Sequence, residues 1–175
     1  GREEEAAALE ARAQETAASS SLRWARAWHD GRRAEREKRW GDAVLAYGIL
    51  MDSTAEGEAP YEGFRMEARL RRGQARLAAK ELAGALADFT IANHEWPEAM
   101  GPRLYLGRAL HLQGDKEGAR RTFQALHDSR PPEQKDLAAA WIVLAYTYGR
   151  DWEGALEWCG KLGGDVLRER LRSYF

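Results

Sequence analysis

The chain has 175 residues, 27 of them basic and 28 acidic, for a formal net charge of −1. A chain of this length fits one domain or a short repeat array, and its charge balance gives no overall drive toward nucleic acid or an anionic membrane. Ala, Leu, Arg and Glu outnumber β-branched residues and predict an all-α fold, the one cysteine excludes an intrachain disulfide, and no apolar run nears the ~20 residues that span a bilayer.

Residues 1–21 are Ala/Glu-rich and predict a helix or arm with little to bury beyond Leu9 and its alanines. Ser19 to Ser21 breaks that segment, and Ser21 suits the N-cap of the next helix. Gly1 to Glu5 leads into alanines and charges, unlike a signal peptide. A cytoplasmic location is the expectation, with export or membrane anchoring left open if a leader preceding Gly1 was removed.

From residue 22 to 162 the chain repeats itself. Gly73 and Gly107 are 34 apart, as are Ala85 and Ala119, Phe89 and Phe123, and Pro97 and Pro131. Upstream, Gly31, Ala43 and Tyr47 keep the same internal spacing, displaced by 42. The extra eight residues fall in the Ser/Gly/Pro-bearing stretch Asp52 to Gly63, which reads as a loop. The units are 22–57, 66–99, 100–133 and an altered 136–162. In the fourth, Trp141, Leu144, Ala145 and Tyr148 share one helical face at i, i+3, i+4 and i+7. Ala155 follows Ala145 by 10 where earlier units use 12, so the spacing predicts a turn about two residues shorter at Arg150 and Asp151. Gly163 and Gly164 close a helix, and residues 163–175 predict a capping helix with a charged face. Truncation of a longer solenoid is the alternative.

This pattern resembles the tetratricopeptide-repeat (TPR) family, whose 34-residue helix–turn–helix carries W-x2-L-G-x2-Y, then A-x3-F, then P. Leu106-Gly107, Leu110, Ala119, Phe123 and Pro131 carry the likeness in the third unit. Gly73, Ala85, Phe89 and Pro97 carry it in the second, which departs from the pattern with Arg69, Arg72 and Arg76 at usually apolar positions. The resemblance implies a right-handed superhelical stack of about four helix pairs with flanking N- and C-terminal helices. It also implies packing roles: Trp141 as a packed aromatic, and Cys159 as a small hydrophobe in the place of the fourth unit's aromatic.

In this family the first helix of each unit lines a concave groove. The residues on or beside that groove are then Trp28, His29, Arg32 and Arg36; Arg71 and Gln74; Tyr105, Arg108 and His111; and Tyr146 and Arg150. The set is basic and aromatic, with Glu35 and Glu67 as the nearby acids. It predicts a protein-interaction scaffold or adaptor that binds an acidic or carboxylate-bearing peptide or protein. Arg32, Gln74 and Arg108 stand where chaperone-binding members use asparagines, which argues against a chaperone-tail clamp. Solvated arginines on amphipathic helices are the plainer reading of the same residues. Self-association is one alternative function, and nucleic-acid binding through the arginine-rich early units is another, less favoured.

Nothing points to catalysis, a cofactor or a small-molecule substrate. His29, His94, His111 and His127 lack metal-ligand spacing, and Cys159 is alone. No phosphate-loop, dinucleotide or nucleophile-elbow motif occurs.

Overall fold

A computed structural model describes residues 23–54 and 63–163. Among them the chain forms eight helices and no strand: α1 (23–36), α2 (Trp40–Thr54), α3 (Phe64–Ala78), α4 (Leu82–Glu95), α5 (Met100–Gln113), α6 (Lys116–Asp128), α7 (Pro132–Tyr148) and α8 (Trp152–Cys159). The expected arm (1–21) and all but Gly163 of the expected capping helix (163–175) lie outside the described residues. The chain divides into two compact units, Gly1–Ala79 and Lys80–Phe175.

The repeat is written in the backbone of four turns. Lys38, Lys80, Gly114 and Arg150 each adopt a positive φ, at 57°, 65°, 94° and 58°. Their separations are 42, 34 and 36 residues. A left-handed residue ends a helix by turning the chain aside while its last carbonyls keep partners. Three of these turns share the closing bond, from Arg39 N–H to the Ala34 carbonyl, Asp115 to Leu110 and Asp151 to Tyr146. Five residues after each left-handed residue stands an alanine with no exposed surface: Ala43, Ala85, Ala119 and Ala155.

In the first unit, α1, α2 and α3 enclose Ala34, Ala43, Tyr47 and Ala75, with a second cluster of Ala27, Leu50, Met51, Phe64 and Ala68. Gly31 makes this packing possible, since a Cβ there would meet the Tyr47 ring at 2.8 Å. Gly107 does the same in the second unit, where a Cβ would lie 2.5 Å from Phe123. There α5 to α8 share one core of Leu104, Phe123, Leu126, Ile142, Val143, Tyr146, Trp158 and smaller residues.

The fourth repeat departs from the spacing expected of it. Asp115 caps α6 by accepting from Gly118 N–H, and Asp151 caps α8 by accepting from Gly154 N–H. Both caps therefore align at a displacement of 36, which matches Ala155 to Ala119 and Val143, not Ala145, to Gly107. The turn Gly149–Asp151 is one residue longer than Gly114–Asp115, not shorter. Trp141, Leu144 and Tyr148 consequently face outward at 44%, 37% and 69% exposure, and of the expected packed face only Ala145 is buried. α7 is apolar on nearly every side, so periodicity alone does not choose which face enters the core. Bulk is redistributed to suit: Val143 fills the core where the third repeat has glycine, and buried Cys159 replaces its phenylalanine.

Candidate functional site: the outer faces of the first helices

In the first unit the expected groove residues come together and neutralise one another. The Arg71 guanidinium lies 3.3 Å from the Glu35 carboxylate and 3.1 Å from that of Glu67. Its Cζ also lies over the Trp28 ring, 5.3 Å from the centroid. Arg32 shares Glu35, at 3.3 Å. Trp28 in turn packs on Tyr47 and Phe64. Burial first, and then the Glu35 carboxylate, holds the Tyr47 hydroxyl well above the usual phenol range. Arg71 therefore anchors α3 to α1, because a half-buried guanidinium between two carboxylates is already satisfied. His29 is exposed and stands 4.0 Å from Asp30. Arg36 is exposed and Gln74 half-buried.

In the second unit the expected residues separate into core and surface. Tyr146 is only 5% exposed and packs on Phe123 and His111, so it does not line an open groove. His111 is likewise enclosed, with Nε2 3.8 Å from Asp151 and Nδ1 buried without a hydrogen-bond partner. Gly149 makes room for this imidazole, as a Cβ there would lie 2.6 Å from it. Arg150 belongs to the turn, exposed and left-handed. Tyr105 and Arg108 remain at the surface, half-buried. Tyr105 stacks on Phe89 at 5.5 Å. Arg108 lies over the Tyr148 ring, 5.0 Å from its centroid, and ties the outer face of α5 to that of α7.

Around that contact lies a surface the sequence reading did not assign to the site. Leu137, Trp141, Leu144 and Tyr148 form an exposed row on α7, and Leu112 is exposed on α5. Tyr105, Arg108 and Leu112 each precede Trp141, Leu144 and Tyr148 by 36 residues, so the two rows are repeat equivalents. The signal that would have found them is the Asp115/Asp151 cap spacing. The opposite side offers less. A shallow cleft of about 360 Å³ is lined by Asn93, Arg103, Leu106, Arg121, Thr122 and Ala125. Arg103 there is a brace, donating to Asn93, the Pro97 carbonyl and Ser129.

Among the described residues no group of three or more His, Cys, Asp or Glu side chains could hold a metal ion, and no helix is long and apolar enough to cross a membrane. The sequence matches no model of a known protein family and no curated protein.

Proposed function

We propose that the chain is a protein-interaction module whose helix pairs stack in the right-handed manner of tetratricopeptide repeats, and that it binds its partner on the outer faces of α5 and α7. The observation that carries this reading is the exposed row Leu137, Trp141, Leu144 and Tyr148 beside Arg108. Isolated exposed leucines need no explanation, but four large apolar residues in register on one helix mark an interaction surface. Their exposure is not a packing accident, since the opposite side of α7 buries Ala138, Ala139, Ile142, Val143, Ala145 and Tyr146. The partner is another protein or peptide. Its acidic character rests chiefly on Arg108, because Arg32 and Arg71 already hold carboxylates of their own chain.

The test is affinity capture with two variants. Trp141→Ser with Leu144→Ser should release the partner while far-UV circular dichroism stays unchanged, because both side chains are outside the core. Arg32→Ala with Arg36→Ala should retain it. The reverse pattern would return the site to the first unit and reopen nucleic-acid binding.

A further inference from the structure

We infer that the occupant of the α5–α7 face is an amphipathic helix of about three turns carrying one carboxylate opposite Arg108, rather than an extended or C-terminal peptide. The inference rests on the binding face proposed above and specifies what fits it.

The backbone of the partner decides the matter. Every residue of an extended peptide presents an N–H and a C=O, and laying them on a dry surface without partners costs about 1–3 kcal/mol per group. A groove for extended peptides therefore needs amide, hydroxyl or cationic side chains along its length. Leu112, Leu137 and Leu144 offer none, and Trp141 offers a single indole N–H. The Arg108 guanidinium and Tyr148 meet at one end of the row and Tyr105 adds one hydroxyl, so the stretch from Leu137 to Leu144 itself carries one donor. A helix satisfies its own backbone and brings only side chains to the surface.

Spacing points the same way. Leu137, Trp141, Leu144 and Tyr148 follow one another by 4, 3 and 4 residues, and Tyr105, Arg108 and Leu112 by 3 and 4. Such rows receive the i, i+3, i+4 and i+7 side chains of a second helix. From Leu137 to Tyr148 the row runs roughly 16 Å, the length of three helical turns.

Charge supplies the rest. No carboxylate among the described residues lies within ion-pair distance of Arg108, unlike Arg32, Arg39, Arg71 and Arg120. Its Nε is buried without a hydrogen-bond partner, and its Cζ lies over the Tyr148 ring, 5.0 Å from the centroid. A guanidinium resting over an aromatic ring beside an apolar row, with no carboxylate of its own among the described residues, suits one carboxylate at the row's Tyr148 end.

The experiment selects binders from a displayed random library of peptides of about 14 residues, long enough for three to four turns. The full chain is the bait, and the Trp141→Ser, Leu144→Ser chain removes peptides that bind elsewhere. Enriched peptides should share apolar residues at 4-3-4 spacing with one Asp or Glu, and should gain helicity on binding. Arg108→Glu should weaken them by roughly tenfold, and a Lys in place of the peptide's acid should restore binding. Enriched peptides with a central proline, or with an obligatory free C-terminus, would overturn the helical occupant yet leave the face as the binding site. Peptides that bind both chains equally would remove the face itself. Failure to enrich any peptide overturns the inference, and assigns the face to a second copy if the chain also dimerises and the double variant does not.

Discussion

At Lys80 the backbone takes a φ of 65°, a conformation that asks for glycine and receives a long cationic side chain. An L-residue with a Cβ carries about 1–2 kcal/mol of local strain there, which glycine relieves at some cost in unfolded-chain entropy. Lys80→Gly should therefore raise stability by about 0.5–1 kcal/mol, read as an upward shift of the denaturant midpoint. Tyr146 gives a pH-dependent counterpart. Burial, followed by the charges of Asp151 and Glu157, raises its pKa above 10.0. The fold thus favours the neutral phenol: its contribution is complete below pH 10 and is lost as pH rises through the folded-state value. Tyr146→Phe should resist alkaline unfolding longer than the parent, followed by circular dichroism, with phenolate absorbance tracking the titration.

At the scale of the helix, α7 teaches most. Its sequence is apolar on almost every side, so the four-residue match at Trp141, Leu144, Ala145 and Tyr148 fits the repeat pattern as well as the true register does. The decision lies outside α7, in the aspartate that caps α8. Asp151 accepts from Gly154 N–H at 2.9 Å, as Asp115 accepts from Gly118 at 2.8 Å. Asp151→Ala should cost about 1 kcal/mol through the lost cap, measured by thermal or denaturant unfolding, and Asp151→Asn should retain most of it. The helices themselves were legible because glycine, alanine and aromatic residues recur at fixed spacing. Gly31 against Tyr47 and Gly107 against Phe123 are what that spacing encodes. The site was only partly legible. Tyr105 and Arg108 were found by counting along the repeat, and Leu137, Trp141, Leu144 and Tyr148 were missed by two residues of register. Arg71 was found, but its commitment to Glu35 joins residues 36 apart in sequence and could not be read from either alone.

For the whole molecule, a net charge of −1 and the internal pairing of the first unit leave little long-range field to guide a partner. On the proposed function, recognition then falls to apolar area and to Arg108. The central claim is that this area, on the outer face of α7, is where the partner sits. Site-specific photo-crosslinking tests it most directly, with the benzophenone side chain introduced in turn at Leu144, at Leu137, at Leu45 on α2 and at Leu156 on α8. All four leucines are exposed, at 37%, 54%, 69% and 44%, so accessibility alone does not favour α7. The account predicts partner adducts from positions 144 and 137 and none from 45 or 156. Adducts from position 45 or 156 with none from α7 would contradict it.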